Sequence, residues 1–479
     1  MSQTNDNNLY RIITKATAIF GGVQVVSIIC SVIRTKVVAV LLGSVGMGVI
    51  GLYNNAIETI TTLTGLGIRN SSVREISEAY SGKEPNEISR IVTVVRRWSW
   101  FVGLLGAVVL IALAPLLSKW TFGDNDHIWG FVLLSCTLLF KALTSGEQAV
   151  LQGTKQLRRL AHSSVYGSIA ALVVSLPLYY FFGVDGIVPS LILYSAATLV
   201  ATLFYKDRQI KTSEITIKET AQQGREMIVL GVFLTISSFI TTLFSYIFSA
   251  YLNACSGEAE VGHYQAGYTL MNKYVGLLFT AMAMEYYPRL AGVAKDNNLL
   301  SQYVGRQVEI MQLMLAPIIA IFIVLHPFMV RLLYTADFYA INDYLLLAIQ
   351  GISFKAISWA IGFVLLAKGS GKLYFFTELT SDVITLGLNI IGYHYWGLAG
   401  VGASYTIGFV LYLAVVYIVC LRYYNIKPGL KAWIATAATT LIAITTFICY
   451  IHLRWIAWGI TIATIIISAA TLYKKLKKE

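Results

Sequence analysis

The sequence predicts an all-α, polytopic membrane protein with about fourteen transmembrane helices. Of its 479 residues, 57% are hydrophobic and 13% are charged, and the mean hydropathy is +0.68. These values lie far on the apolar side of soluble domains, so a soluble enzyme and a disordered chain are both excluded. About fourteen apolar segments have the roughly 20 residues that a helix needs to cross a bilayer. An internal duplication also divides the first twelve segments into two halves of six.

Basic residues are distributed unevenly between alternate connections. With the N-terminus placed in the cytoplasm, 28 of the 36 Lys and Arg residues lie on the cytoplasmic side. Only Lys119, Arg331 and Arg454 lie on the opposite side. Cytoplasmic loops of membrane proteins are enriched in Lys and Arg, so this asymmetry predicts that both termini are cytoplasmic. The net charge of +12 is therefore an orientation signal and does not indicate nucleic-acid binding.

Motifs for enzymatic chemistry are weak or absent. The five cysteines are scattered without CxxC spacing, so we expect neither a disulfide framework nor a metal site. Asp124-Asn125-Asp126 matches the D-x-D pattern of some glycosyltransferases. A membrane glycosyltransferase or polymerase is therefore one alternative, but the external connections are short and we expect a solvated turn. No P-loop, HExxH or GxSxG motif occurs, so neither an enzyme nor a cofactor is predicted.

Three colinear matches indicate that the two halves arose by duplication. The segment Leu41 to Tyr53 aligns with Leu252 to Tyr264 at an offset of 211 residues. Two further matches have an offset of 214, and they pair Phe140-Lys141-Ala142 with Phe354-Lys355-Ala356, and Gly183, Gly186 and Ser190 with Gly397, Gly400 and Ser404. The offset places each span of the first half on the span six positions later, for example span 1 on span 7. Because six is even, equivalent spans cross the membrane in the same direction. The repeats are therefore parallel and related by an axis along the membrane normal.

The duplication predicts four parts of the chain. Residues 1–205 form an N-lobe with spans 1–6, and residues 206–226 form a polar cytoplasmic linker. Residues 227–425 form a C-lobe with spans 7–12, and residues 426–479 contain spans 13 and 14 with a basic tail. Substrate sites of such proteins lie near the midplane between the repeats, so we expect two pseudo-symmetric lobes around a central cleft.

Five basic residues lie inside predicted spans: Arg34, Lys36, Lys141, Lys273 and Lys355. A charge at the bilayer centre costs about 2.5–3.5 kcal/mol on insertion scales and marks a functional pathway by default. Lys141 and Lys355 are repeat-related and lie too deep to reach the surface, so they either line the cleft or form structural ion pairs. Arg34 and Lys36 lie closer to the outer face, where reaching the surface is an alternative to binding substrate.

Several cations at one interface favour an anionic substrate, because guanidinium and ammonium groups suit phosphate oxygens. Asn54 and Asn55 in span 2 are further candidate substrate contacts. Acids also lie within spans, namely Glu58, Glu147, Glu285, Glu378 and Asp382. Some must balance the lysines, and Glu58, Glu147 and Asp382 are the candidates for coupling transport to an ion.

Over residues 10 to 425 the chain resembles the Wzx-type polysaccharide flippases of the multidrug/oligosaccharidyl-lipid/polysaccharide exporter superfamily. Lys36 to Gly43 with Gly46, Gly48 and Gly51 is similar to the end of that family's span 1, and closest to the O-antigen and enterobacterial common antigen translocases. Val261 to Gln265 with Tyr286 to Leu290 looks like its span 8, and Lys355, Ala367-Lys368 and Glu378 look like its spans 10 and 11.

The resemblance implies a flippase that moves undecaprenyl-diphosphate-linked oligosaccharide from the cytoplasmic to the periplasmic leaflet of the bacterial inner membrane by alternating access. Membrane lipids, a polysaccharide polymerase and a chain-length regulator are the implied partners. Arg34 falls where related lipid II flippases have a cavity arginine, but Thr62 and Thr269 replace two others. A lipid II flippase and a multidrug antiporter of the same fold remain alternatives. An antiporter of cations would prefer an acidic cleft.

Overall fold

The computed structural model describes residues 26, 28–82, 85–208, 210 and 213–476. These residues form helices joined by short connections and contain no β-strand. By internal contacts the chain divides into two compact units, residues 1–261 and 262–479. The boundary between the units lies after the long helix Ile217–Ser256, whereas the duplication assigns that helix to the second half. The lobe limits at residues 205, 226 and 425 therefore stay predictions.

Among the described residues, eight helices lie in unit 1 and a ninth crosses the division. The first, α1, comprises residues 28–41. The others are α2 (Gly43–Gly65), α3 (Ile68–Gly82), α4 (Pro85–Phe122), α5 (Ile128–Gly153), α6 (Leu157–Phe182), α7 (Ile187–Phe204), α8 (Ile217–Ser256) and α9 (Glu258–Thr269), which reaches past the division into unit 2. Helix α8 begins with a capping box, in which Thr216 and Glu219 satisfy each other's backbone N–H groups. It packs on α2, α3 and α4 of the same unit.

The remaining helices lie in unit 2. They are α10 (Gly276–Gly292), α11 (Asn297–Leu333), α12 (Asn342–Ala348), α13 (Ile352–Ala367), α14 (Gly371–Tyr424), α15 (Leu430–His452) and α16 (Arg454–Leu476). A π-helical turn, Leu270–Tyr274, follows α9. Helices α15 and α16, the predicted spans 13 and 14, pack against α11.

Among the described residues, nine helical segments are long and apolar enough to span a membrane. They are Asn86–Phe122, Ile128–Gly153, Arg158–Phe204, Thr235–Ser256, Asn297–Leu333, Ala336–Ala367, Gly371–Tyr424, Leu430–His452 and Arg454–Lys474. The prediction of an all-α polytopic membrane protein is confirmed, whereas the count of fourteen spans is not.

Two of these segments are long enough to cross the bilayer twice. Gly371–Tyr424 has 54 residues, and a continuous helix of that length would extend about 80 Å, far beyond a hydrocarbon core of about 30 Å. The backbone breaks at Gly397, where φ is 57° and ψ is −143°. Arg158–Phe204 breaks at Gly183, where φ is 56° and ψ is −130°. Glycine tolerates this positive φ because it has no Cβ.

The backbone repeats at a constant offset of 214 residues. Gly183 and Gly397 are one such pair, and Gly43 and Gly257, both with positive φ, are another. Helices α5 and α13 end at Gly153 and Ala367, and the turns that follow contain Lys155 and Gly369, again with positive φ. The duplication is therefore visible in the backbone, and the first sequence match must be shifted from 211 to 214.

Arg158–Phe204 and Gly371–Tyr424 each form a helical hairpin with its turn at the glycine break. Further glycines bring the two arms of each hairpin into contact. A Cβ at Gly400 would lie 1.9 Å from the carbonyl oxygen of Gly392, and a Cβ at Gly186 would lie 2.3 Å from that of Leu178. These two contacts also correspond at the offset of 214. In the second hairpin, the Ser404 hydroxyl donates to the Leu388 carbonyl across the same interface at 2.7 Å.

Gly400→Ala is expected to destabilise the protein by about 1–3 kcal/mol, because the added methyl group forces apart two helices in backbone contact. Thermal unfolding of the detergent-purified protein measures the effect. Gly387→Ala is the matched control, since it lies in the same helix with no atom within 4 Å of the new Cβ. That control should be neutral or slightly stabilising. Equal unfolding temperatures for the two variants would contradict the contact.

Candidate functional site

Arg34 in α1 is held by two tyrosines of the first unit. Its guanidinium donates a hydrogen bond to the Tyr179 hydroxyl at 3.2 Å and lies 4.6 Å from the centre of the Tyr194 ring. Lys36 is half-buried two residues further along the helix. Residues at this spacing lie about 200° apart around a helix axis, so the two cations point to different sides of α1.

Lys141 in α5 lies beside Glu58 of α2. Its ammonium nitrogen is 3.9 Å from a Glu58 carboxylate oxygen, and the two side chains are 37% and 60% exposed. Both line a cavity of 390 Å³ in unit 1, together with Tyr194, the residue on which Arg34 stacks. The structure therefore places Lys141 and Glu58 at one cavity, and Arg34 lies behind its lining residue Tyr194.

Lys355 in α13 occupies a different environment in unit 2. Its ammonium group donates hydrogen bonds to the Asn272 side-chain oxygen and to the Tyr405 hydroxyl, both at 3.1 Å. The ring centres of Phe279, Tyr405 and Phe409 lie 5.2–5.6 Å from the same nitrogen, within the range of cation–π attraction. Aromatic rings and neutral oxygens, not a carboxylate, surround this lysine among the described residues.

Asn272 lies on the π-helical turn Leu270–Tyr274. Single π-turns are rare and often occur at functional sites, because they re-aim side chains within a helix. Glu58 and Asn272 are separated by 214 residues, as are Lys141 and Lys355. The two lysines thus have repeat-related partners, an acid in the first unit and an amide in the second. The side chain of Lys273, the neighbour of Asn272, lies outside the described residues, as does that of Glu285.

Glu147 is paired with Arg96. The Arg96 guanidinium donates to both carboxylate oxygens, at 2.7 and 3.1 Å, and the two side chains are 9% and 19% exposed for Glu147 and Arg96. Arg96 is one of the basic residues that the charge pattern places in a cytoplasmic connection, but it lies inside α4. The ion pair connects α4 to α5.

The other candidate residues lie on α2 and α14. Glu378 accepts a hydrogen bond of 2.5 Å from the Tyr412 hydroxyl, and Asp382 lies one turn further along α14. Asn55 donates to the Ser249 hydroxyl at 2.8 Å, which connects α2 to α8. Asn54 is half-buried on α2. Asn55 therefore has a packing contact, while the ion-coupling roles of Glu58, Glu147 and Asp382 stay predictions.

The D-x-D pattern forms a turn between α4 and α5. The Asp124 carboxylate accepts hydrogen bonds from the backbone N–H of Asp126 and from the His127 ring, both at 3.0 Å. The bond to His127 holds the pKa of Asp124 below its ordinary value. No group of three or more potential metal ligands occurs within the described ranges. The geometry is that of a capped turn at the surface.

Sequence reasoning missed the aromatic residues of both sites, because single tyrosines and phenylalanines are common in membrane helices. Tyr179 and Tyr194 around Arg34, and Tyr405 and Phe409 around Lys355, carry no motif. Asn272 had a detectable signal. When the offset of 214 is applied along the whole sequence, Asn272 is equivalent to Glu58. The offset of 211 conceals this equivalence, because it aligns the neighbouring Lys273 with Thr62.

The folded chain is a multi-pass helical membrane protein with two compact units, and a repeat-related lysine lines a cavity in one unit and is enclosed by rings in the other. A family model described as "Polysaccharide biosynthesis protein" matches residues 37–343. The chain belongs to this polysaccharide biosynthesis protein family.

Curated relatives and solved structures agree with this membership. The lipid III flippases of Escherichia coli (strain K12) and Shigella flexneri are each 21% identical over 388 residues, which cover 79% of this chain and 91% of theirs. The lipid II flippase MurJ in an inward closed conformation has a TM-score of 0.70 at 14% identity, covering 95% of this chain and 99% of its own. An inward-facing multidrug resistance MATE family transporter has a TM-score of 0.64 at 14% identity, with coverages of 86% and 95%.

These solved structures share the fold of this chain. The relatives named here are flippases and transporters, which agrees with the prediction that the chain is not an enzyme.

Proposed function

We propose that the protein is a Wzx-type flippase, which moves an oligosaccharide linked to undecaprenyl diphosphate from the cytoplasmic to the periplasmic leaflet of the bacterial inner membrane. Three findings support the proposal: the polysaccharide biosynthesis family, the lipid III flippase relatives, and the lipid II flippase with the same fold. The observation that carries it is the cation Lys141, which lines a cavity within a unit built of membrane-spanning helices.

Positive charge in the membrane suits this substrate. A diphosphate bears about two negative charges, and carrying it across hydrocarbon requires compensating groups, because isolated charges there are costly. Lys141 and Arg34 would meet the headgroup in the first unit, and Lys355 would act in the second by positioning the residues around it. Lys36 and Lys273 are proposed as further contacts along the route. Both termini would lie in the cytoplasm, with a polymerase and a chain-length regulator as partners in the same membrane.

A multidrug antiporter is the second candidate, because MATE transporters share the fold. Antiporters of organic cations would need unpaired acids where this chain has Lys141 and Lys355. A lipid II flippase is disfavoured by Thr62 and Thr269, which stand where the resemblance places further cavity arginines. Flipping assays with the two lipid-linked substrates and an organic cation distinguish the three candidates.

Transport is expected to proceed without ATP and to be accelerated by an inside-negative potential. Moving two negative charges outward releases about 4.6 kcal/mol per 100 mV, since each charge contributes about 2.3 kcal/mol. The protein's own charges return to their starting positions in each cycle, so only the substrate and a coupled ion contribute.

The measurement uses the purified protein in liposomes that contain fluorescent lipid-linked oligosaccharide, with potassium diffusion potentials of either sign. Protein-free liposomes and liposomes with an unrelated membrane protein are the controls. A flipping rate that ignores the sign and size of the potential would refute the electrogenic step. A requirement for added ATP would refute the mechanism as a whole.

A further inference from the structure

The cavity around Lys141 has apolar walls interrupted by small polar side chains. Besides Lys141 and Glu58, it contains hydroxyl residues from five helices and one amide, namely Thr61, Thr64, Ser72, Ser99, Thr144, Ser145, Gln148, Ser195 and Thr198. Its volume of 390 Å³ is in the range of about 300–1,000 Å³ that is usual for small-molecule sites. A cavity of this size, with apolar walls and several hydroxyl groups, is suited to a small ligand that carries hydroxyls.

The hydroxyls present free acceptors to the cavity. Those of Thr64, Thr144 and Thr198 donate their hydrogens to carbonyls of their own helices, at 2.8 Å in each case. Their lone pairs remain for a donor from outside the protein. The buried hydroxyl oxygens of Thr61 and Ser72 have no hydrogen-bond partner among the described residues. These two oxygens are enclosed by protein atoms, so they are not counted among the groups that meet a ligand.

The same positions of the second unit are filled with aromatic rings. At the offset of 214, the small residues correspond to larger ones: Gly65 to Phe279, Ser72 to Tyr286, Ser145 to Trp359, Ser195 to Phe409, and Thr198 to Tyr412. The Trp359 ring packs on Phe279 and Tyr286, with ring centres 5.8 and 5.6 Å apart. Lys355 is thus enclosed, whereas Lys141 faces open space.

Other exchanges between the units compensate each other and leave no void. In unit 1, Tyr53 lies against Gly130, so a Cβ at Gly130 would be 2.5 Å from the tyrosine hydroxyl. In unit 2, the equivalent positions are reversed, with Tyr344 lying against Gly267. Some cavity residues, such as Tyr194 and Gln148, are larger than their counterparts Gly408 and Gly362, and the space still stays open. Since interiors are otherwise close-packed, this cavity is a place in unit 1 where a ligand has room to bind.

We propose that this cavity is the subsite for the sugar attached to the diphosphate, with Lys141 at the adjoining phosphate. The inference rests on the proposed function and adds a specificity site to it. Sugar hydroxyls donate to the threonine and serine oxygens, and Glu58 accepts a further hydroxyl or amide hydrogen. Lys355, enclosed by rings, is a positioning residue and does not contact the sugar.

The test transfers the residues of the second unit into the first. Ser145→Trp and Ser195→Phe place aromatic rings in the cavity, and flipping of lipid-linked oligosaccharide is expected to fall at least tenfold in each. Leu133→Trp is the matched control, because Leu133 lies in the same helix as Ser145, is 52% exposed and does not line the cavity. Its flipping rate should equal that of the wild type. Wild-type flipping by Ser145→Trp would overturn the proposal.

A second measurement does not depend on the folding of the aromatic variants. Ser145→Cys is introduced into a chain in which the five native cysteines are replaced, and its labelling by a small methanethiosulfonate reagent is followed. Undecaprenyl diphosphate carrying one N-acetylhexosamine should protect the new cysteine, and undecaprenyl diphosphate without sugar should not. Equal protection by both lipids, or by neither, would overturn the sugar subsite. A wild-type protein that flips no lipid-linked oligosaccharide would instead refute the proposed function.

Discussion

Replacing Lys141 and Lys355 together by alanine is expected to abolish flipping while leaving folded protein in the membrane. Lys141 should account for most of the effect, because it lies in an open cavity beside an exposed carboxylate. Loss of a single charge-assisted contact to phosphate costs about 1.5–3 kcal/mol, which lowers the rate of Lys141→Ala by about tenfold to a hundredfold. Lys141→Arg keeps the charge and should retain a measurable rate. The assay is complementation of surface glycan display, followed by flipping in liposomes.

The second lysine is expected to act through its surroundings. Lys355→Ala removes an ammonium group that donates hydrogen bonds to Asn272 and Tyr405. Three aromatic rings surround the same group. We expect a lower thermal unfolding temperature together with slower flipping. The matched variant Lys355→Met keeps the bulk of the side chain, so it separates packing from charge. Full complementation by the double alanine variant would disprove both roles, and loss of all protein from the membrane would indicate structural ion pairing instead.

Glu147→Gln is expected to destabilise the protein by about 3–5 kcal/mol, which is the usual cost of removing one partner of a buried ion pair. The reason is that Arg96 would keep its charge in a site that is 19% exposed, with an amide in place of the carboxylate that now accepts two hydrogen bonds. Thermal unfolding of the purified protein and its abundance in the membrane measure the loss.

Two comparisons separate this structural role from ion coupling. Glu58→Gln is the same chemical change at a carboxylate that is 60% exposed and 3.9 Å from its partner, so its effect on stability should be below about 1 kcal/mol. The double variant Arg96→Met/Glu147→Leu replaces both charges by apolar groups and should recover much of the stability. If Glu147→Gln is as stable as the wild type but loses its response to a proton gradient, Glu147 is a coupling residue.

Much of the architecture could be predicted from the sequence because it depends on composition and on local backbone chemistry. Apolar segments of bilayer length must be helical, since a chain in hydrocarbon has to satisfy its own hydrogen bonds. Gly183 and Gly397 were recognised as equivalent, and both break the helix at a positive φ that glycine tolerates. Lys141 and Lys355 were found as a pair because a charge inside an apolar segment is conspicuous.

The partners of these residues were decided by the tertiary structure. Arg96 and Glu147 form an ion pair between two helices, and Asn272 contacts Lys355 from a π-helical turn. Neither contact can be derived from the periodicity of a single helix. The sequence match near Gly43 was wrong by three residues, because the Leu and Gly residues that it aligned are abundant in membrane helices. The positive φ angles of Gly43 and Gly257 give the correct offset of 214.

By itself, the sequence determined a duplicated helical membrane protein with a buried lysine in each half. The packing decided that the two lysines differ: rings fill the space around Lys355, and small hydroxyl residues leave it open around Lys141. The physical reason is that a cavity is a property of side-chain volumes summed over several helices. Residues far apart in the chain, such as Gly65 and Ser195, contribute to one space only after the helices have packed.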